Sequence, residues 1–144
     1  MKKYFLSLFL AVSLISCNGE GGFDPDSYPQ KWQLVKMYYG MVNSGSTRDE
    51  LEWQEYYILY ENNSFKKSRL QEGVLYEATG TFKYLNSEGN EYLELTYPAD
   101  SGIISNCLEE PVERLLVKSD DHMIGNSWLA CDGPGLEYKR VLAE

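Results

Sequence analysis

Beyond residue 30 the chain is a succession of short runs rich in aromatic and β-branched residues, each ended by glycine, asparagine, aspartate or proline. Such runs are typical of β-strands separated by tight turns. The clearest run is 91–97, in which Leu93, Leu95 and Tyr97 alternate with more polar side chains and therefore share one face. The pattern predicts eight strands, over 31–39, 53–61, 65–71, 75–85, 91–97, 112–118, 123–131 and 136–142.

Eight strands joined in hairpin succession predict one all-β domain over 29–144. Each strand buries one face, and closing the sheet on itself removes both unpaired edges. We therefore expect an eight-stranded antiparallel up-and-down barrel. An open two-sheet sandwich is the alternative, because strand spacing does not separate the two. The segment 47–54, with a threonine and several acidic residues, is compatible with a short helical turn.

The N-terminal residues have the pattern of an export signal. Two lysines precede an apolar run over 4–15, which leads into the sequence Leu-Ile-Ser-Cys at Cys17. We expect residues 1–16 to be a helical signal peptide that is removed, and the Cys17 thiol to carry diacylglycerol. An ordinary secretory signal with an incidental cysteine is the alternative. A membrane anchor is disfavoured because the run is shorter than the roughly 20 residues of a spanning helix.

Acylation of Cys17 would place the protein in the cell envelope, attached to a membrane through its acyl chains and a flexible, glycine-rich tether over 17–28. Without the two signal lysines, the 13 Lys and Arg fall to 11 against 22 Asp and Glu, a formal net charge of −11. Such a domain repels nucleic acid and anionic headgroups, so neither is expected as a partner. Asn18 is not the aspartate associated with inner-membrane retention, which favours the outer membrane. We expect a monomer.

Two cysteines, Cys107 and Cys131, remain once Cys17 is acylated. The compartment permits oxidation, and a bond between them would close a loop of roughly 25 residues, worth about 3 kcal/mol in the chain-entropy model. Two free thiols or half of a metal site are the alternatives. A single histidine and the lack of a C-x-x-C motif make a zinc site improbable.

The order of residues resembles that of the small lipocalin-like lipoproteins of bacteria. The resemblance covers 30–142 and implies a barrel in which an arginine of the last strand packs over a tryptophan of the first. Here Arg140 and Trp32 would form that pair and help to close one end. Gln30 departs from the family, which often has glycine at this position. The motifs are Lys31-Trp32-Gln33-Leu34, Tyr57 to Tyr60 turning at Asn62-Asn63 into Phe65, Gly80-Thr81-Phe82, and Tyr138-Lys139-Arg140-Val141.

No set of residues in the sequence predicts catalysis, and no metal or cofactor is expected. His122 follows two aspartates, but no serine or cysteine lies in a nucleophile-elbow context such as G-x-S-x-G. The adjacent pairs 109–110 and 120–121 are acidic, yet a glycosidase needs carboxyl groups about 5–9.5 Å apart across a sugar. We interpret these residues as polar loops.

The aromatic content favours a binding protein over an enzyme. An eight-stranded barrel has room inside for about one small ligand, and inward tyrosine hydroxyls would make the interior amphipathic. A core filled by side chains, with no ligand, is the alternative. Strand alternation gives Tyr57, Tyr84, Tyr97, Arg114 and Trp128 as the candidate pocket residues.

Two functions follow from these observations. The first is a lipid-anchored module that binds a small apolar or amphipathic molecule. The second is a protein-interaction module: small acidic barrel lipoproteins with one disulfide also resemble envelope inhibitors of lysozyme, a basic enzyme that the negative charge would attract.

Overall fold

The computed structural model describes residues 24, 26–40, 45–47, 50–125 and 127–143. The predicted signal peptide, Cys17 and eight of the twelve residues of the predicted tether lie outside these residues. Nine strands and one 3-10 helix, Ser127–Cys131, are present in the described chain. The strands are β1 (Gln30–Tyr38), β2 (Gly45–Thr47), β3 (Gln54–Leu59), β4 (Ser64–Gln71), β5 (Val74–Ser87), β6 (Asn90–Thr96), β7 (Val112–Ser119), β8 (His122–Gly125) and β9 (Gly135–Val141).

Eight of the strands form a closed antiparallel barrel. β1 pairs with β3, each strand from β3 to β8 pairs with the one that follows it, and β9 pairs with β1 to close the sheet. The predicted eight-stranded barrel is therefore confirmed, and the sandwich alternative is not adopted. The short β2 pairs with the second half of β1, with Lys36 opposite Thr47.

The structure corrects two expectations about local structure. The predicted strand over 123–131 is wrong, because β8 ends at Gly125 and residues 127–131 form the 3-10 helix. Trp128 on that helix packs so closely on Gly133 that a β-carbon there would lie 2.3 Å from the indole Cγ. The helical turn considered over 47–54 is absent from the described part of that segment, where Thr47 belongs to β2 and Gln54 begins β3.

The barrel core is built from inward-facing residues that alternate along the strands. Leucine, methionine and aromatic side chains from all eight strands of the barrel form one contiguous buried cluster. At Gly80 the backbone approaches its neighbours closely, since an added β-carbon would lie 2.1 Å from the Thr96 carbonyl oxygen and 2.7 Å from Phe65 Cε1. In the part of the chain that is described, no helix has the length and apolar character needed to cross a membrane.

The end of the β4–β5 hairpin extends beyond the part of β5 that pairs with β6. Its two-residue turn, Glu72-Gly73, has positive φ values of 51° and 78°, the conformation that matches the twist of a tight hairpin. β5 pairs with β4 over residues 74–81 but with β6 only over residues 81–87. The first half of β5 therefore has a strand on one side only.

Candidate functional site

Four of the buried charged side chains meet inside the barrel. Glu55 is on β3, Lys67 and Arg69 are on β4, and Glu113 is on β7. Lys67 and Arg69 follow Phe65 at two-residue intervals, and alternate residues of a strand point to the same face. We refer to these four residues as the interior charge cluster.

The two cations of the cluster contact the two carboxylates directly. Lys67 Nζ lies 2.7 Å from Glu113 Oε1 and 3.3 Å from Glu55 Oε1. Arg69 Nε lies 2.5 Å from Glu55 Oε2. The formal charges of the cluster cancel, which offsets much of the cost of removing four ions from water.

Three tyrosines complete the hydrogen bonding of the carboxylates. The Tyr57 hydroxyl donates to Glu113 Oε2 at 2.8 Å, and the Tyr97 hydroxyl donates to the same oxygen. The Tyr138 hydroxyl donates to Glu55 Oε1 at 2.5 Å. Burial and the neighbouring carboxylates raise the pKa of each of these tyrosines well above 10.0. All three hydroxyls therefore remain protonated donors over the physiological range.

The charged states of Glu113 and Arg69 are held by their contacts within the cluster. Burial alone would raise the pKa of Glu113, but the attraction of Lys67, with hydrogen bonds from Lys67, Tyr97 and the Ser105 N–H, brings that pKa below its ordinary value. Burial would likewise lower the pKa of Arg69, but the charge and hydrogen bond of Glu55 raise it. Glu113 and Arg69 are therefore ionised at neutral pH.

The loop between β6 and β7 covers this part of the barrel with its backbone. The Ile103 carbonyl oxygen accepts hydrogen bonds from Lys67 Nζ at 2.5 Å and from Arg69 Nη2 at 3.3 Å. Arg69 Nη2 also donates to Ser105 Oγ at 3.0 Å, and the Ser105 N–H donates to Glu113. The covering loop therefore already forms hydrogen bonds with the charged side chains that a ligand in the barrel centre would contact.

A cysteine pair connects this loop to the 3-10 helix. The sulfur atoms of Cys107 and Cys131 lie 2.12 Å apart, at disulfide-bonding distance as predicted, with Cα atoms 5.7 Å apart. On the same helix, the Trp128 ring lies 6.1 Å from the Trp53 ring and 5.7 Å from the Arg69 guanidinium carbon. The disulfide thus fixes the covering loop beside the charge cluster.

The predicted pocket residues are distributed over four places. Tyr57 and Tyr97 face the interior but are engaged by Glu113, and Trp128 lies half-buried on the 3-10 helix. The prediction that Arg114 faces the interior is wrong by one residue. Glu113 occupies the inward position, while Arg114 lies outside with its Nε 2.7 Å from Glu94 Oε2. Tyr84 lies apart from the other four.

Tyr84 lines a half-enclosed cavity at the opposite end of the barrel, which we call the end cavity. Its volume is about 280 Å³, close to the lower end of the ~300–1,000 Å³ range of ligand pockets. Aromatic and aliphatic side chains form much of its wall, namely Tyr28, Trp32, Tyr84, Val117 and Met123.

Polar side chains form the rest of the wall. Trp32 Nε1 donates to Gln30 Oε1 at 3.2 Å, and Arg140 Nη2 donates to the Ser27 carbonyl oxygen at 2.8 Å. Burial, with the negative charge of Glu91 nearby, raises the pKa of Tyr84 to about 12. Three carboxylates, those of Asp26, Glu91 and Asp120, also line the cavity.

Trp32 and Arg140 stand directly opposite each other in the β1–β9 pairing that closes the barrel. Both are buried, and both line the end cavity. The pair therefore lies at one end of the barrel and at its closing seam. Stacking of the guanidinium on the indole stays a prediction.

Nothing in the described chain points to catalysis. His122 Nε2 lies 3.5 Å from Glu137 Oε2, and the acidic pairs 109–110 and 120–121 are exposed in loops. Among the described residues, no group of three or more His, Cys, Asp and Glu side chains is arranged to hold a metal ion.

The interior charge cluster was not anticipated from the sequence. A signal for three of its four residues exists: Lys67 and Arg69 alternate in phase with Phe65, and Glu55 alternates in phase with Tyr57. Long charged side chains are, however, expected outside unless a partner is known. The partners come from strands distant in sequence, so alternation alone does not reveal them.

Comparison with protein-family models, with curated proteins and with solved structures found no match for this chain. The geometry of the two ends of the barrel is therefore the basis for proposing a function.

Proposed function

We propose that this protein is a lipid-anchored, lipocalin-like component of the cell envelope that binds a small amphipathic molecule in the end cavity. The observation that carries the proposal is a half-enclosed space of about 280 Å³ in which the Trp32, Tyr84 and Met123 side chains meet the polar groups of Gln30 and Arg140. Ligand sites commonly combine apolar surface with oriented polar groups, and in the end cavity the two kinds of side chain share the wall about equally.

The end cavity is a better candidate site than the barrel centre. The centre is occupied by buried side chains such as Tyr57, Phe65 and Lys67, and the cations there are bonded to the covering loop. A ligand in the centre would have to displace these contacts, whereas the end cavity is open to solvent on one side.

The charges around the cavity define the class of ligand. Asp26, Glu91 and Asp120 carry three negative charges, and the Arg140 guanidinium already donates to Ser27 at 2.8 Å and 2.9 Å. A flat apolar group would contact Trp32 and Tyr84, and a cationic or hydrogen-bond-donating group would face the carboxylates. An anionic ligand of the same shape would be repelled.

The test compares three probes that share a phenyl ring and are similar in size but carry a cationic, a neutral and an anionic polar group: phenethylamine, 2-phenylethanol and phenylacetate. Saturation-transfer NMR with the purified full chain in detergent, and with empty micelles as the blank, measures their binding. We expect the amine to bind best and the carboxylate worst. Tyr84→Ala should weaken amine binding, while Tyr60→Ala, an exposed tyrosine elsewhere, should not. Equal signals for the three probes, or no effect of Tyr84→Ala, would remove the end cavity as the site.

Membrane attachment is tested separately by following radiolabelled palmitate into the mature protein. The label should enter the wild-type protein and be absent from Cys17→Ser.

A further inference from the structure

The first half of β5 is an unpaired edge inside an otherwise closed sheet. Residues 74–81 pair with β4, but pairing with β6 begins only at Thr81. In the described chain, no other strand pairs with residues 74–79. A closed barrel normally removes its edges, so a gap in the pairing leaves backbone donors and acceptors available.

The hairpin geometry shows which backbone groups face outward. Gln71 and Val74 flank the two-residue turn, and such a pair exchanges hydrogen bonds across the hairpin. Alternate residues then direct both their N–H and C=O away from β4. In β5 these residues are Leu75, Glu77 and Thr79, which form a row of outward backbone groups.

The unpaired edge lacks two of the features with which proteins usually protect such edges, and its one charged side chain, Glu77, is paired with Lys66 at 2.6 Å. It contains no proline and no lysine, and its first three residues are apolar or aromatic. Val74, Leu75 and Tyr76 are 49%, 59% and 47% exposed. Exposed apolar side chains beside free backbone groups are what a strand-adding partner contacts.

A groove runs along this edge and gives a second strand a place to lie. Tyr76 and Glu77 form one side of a cleft of about 360 Å³, and Ser101, Gly102 and Ile103 of the covering loop form the other. We call it the edge cleft. A strand lying in it would contact the loop as well as β5.

We propose that the edge cleft binds an extended, basic segment of a partner protein, which adds to β5 as an antiparallel or parallel strand. Charge selects this occupant over a second copy of the chain. Glu72 and Asp100 are exposed and directly adjoin in sequence the lining residues Gln71 and Ser101, and the whole chain carries a net charge of −9. Two copies would bring these negative charges together, whereas lysine or arginine in the partner would be attracted. The inference is independent of the end cavity and its ligand.

The probe is a fluorophore-labelled octapeptide that alternates valine with lysine and threonine, titrated against the full chain in detergent with fluorescence anisotropy as the readout. Two companion peptides are matched to it. One replaces lysine by glutamate, and the other carries N-methyl groups on alternate backbone nitrogens, which removes strand hydrogen bonds but keeps the side chains. We expect the basic peptide to bind, and each companion to bind at least tenfold more weakly.

Two variants test the site itself. Thr79→Pro removes an outward N–H without removing a bond to β4, and Leu75→Lys places a positive charge at the edge; each should weaken binding at least tenfold. Leu142→Lys, which makes the same change at an exposed leucine elsewhere, is the control and should bind as the wild type does. Circular dichroism verifies that every variant retains its strands.

Three results would overturn the proposal. They are binding that backbone methylation or Thr79→Pro leaves unchanged, an absence of binding by the basic peptide, and a dimer in light scattering that Thr79→Pro dissociates. The last result would assign the edge to a second copy of the chain.

Discussion

Lys67 Nζ lies 2.7 Å from Glu113 Oε1, and both side chains are buried inside the barrel. Lys67 also contacts Glu55 and the Ile103 carbonyl oxygen, so one ammonium group connects two strands and the covering loop. We therefore expect Lys67→Met to cost about 3–5 kcal/mol of unfolding free energy, because it leaves buried carboxylates without their cation.

Urea unfolding of the folded variants measures this effect. Lys66→Met is the matched control, since Lys66 pairs with Glu77 at 2.6 Å on the outer face of the same strand. This variant should lose far less unfolding free energy than Lys67→Met. A double variant, Lys67→Met with Glu113→Gln, should recover part of the stability. Equal losses at Lys66 and Lys67 would contradict the importance of the buried pair.

The ionised state of Glu113 predicts a loss of stability in acid. Its pKa lies below the ordinary 4.5 in the folded protein, so the unfolded chain binds the proton more readily. The stabilisation is therefore fully present above pH 4.5 and is lost as the pH falls through the lowered folded value. The slope of unfolding free energy against pH in this range should be positive, and Glu113→Gln should reduce it. An unchanged slope in the variant would contradict the assignment.

At alkaline pH the buried tyrosines predict that the unfolding free energy falls as the pH rises. The pKa values of Tyr57, Tyr97 and Tyr138 lie well above 10.0 in the folded state. The unfolded chain therefore releases protons first, and stability falls as the pH rises above about 10. Absorbance at 295 nm should show part of the 12 tyrosines ionising only together with unfolding. In guanidinium chloride all of them should titrate in one step, which provides the reference.

The sequence predicted the barrel well because its strands carry local signals. The alternation over 91–97 placed Leu93, Leu95 and Tyr97 on the buried face that they occupy. The register failed at Arg114 because β7 offers adjacent charged residues, Glu113 and Arg114, and a two-residue period allows either to face inward. Glu113 faces inward because it pairs there with Lys67, a residue distant in sequence.

The end of β8 could not be predicted for a similar reason. Residues 123–131 contain enough apolar character for a strand, but the contact of Trp128 with Gly133 and the bond of Cys131 to Cys107 turn this segment into a helix. Both are tertiary contacts. Trp32 and Arg140 were predicted from a family resemblance, and Tyr84 was predicted from strand alternation. The structure places all three at the end cavity.

Removal of the disulfide is expected to loosen the covering loop. Replacing Cys107 and Cys131 together by serine should cost about 3 kcal/mol by the chain-entropy account. It should also raise amide exchange in the loop at Ser105, whose N–H donates to Glu113. Hydrogen-exchange mass spectrometry measures the change, with the distant β5–β6 hairpin as the internal control. Unchanged exchange in the loop would show that Lys67 and Arg69 hold it without the disulfide.

Gly80 is expected to tolerate no side chain. A β-carbon there would lie 2.1 Å from the Thr96 carbonyl oxygen and 2.7 Å from the Phe65 ring, so Gly80→Ala requires the β5 backbone or the Phe65 side chain to move. Overpacking of this kind costs about 1–3 kcal/mol. Gly102→Ala is the matched control, because a β-carbon at Gly102 would meet nothing within 4 Å. Thermal unfolding should show a clearly lower Tm for Gly80→Ala only. If the two variants unfolded at the same temperature, the close approach of β5 to β6 at this point would be wrong.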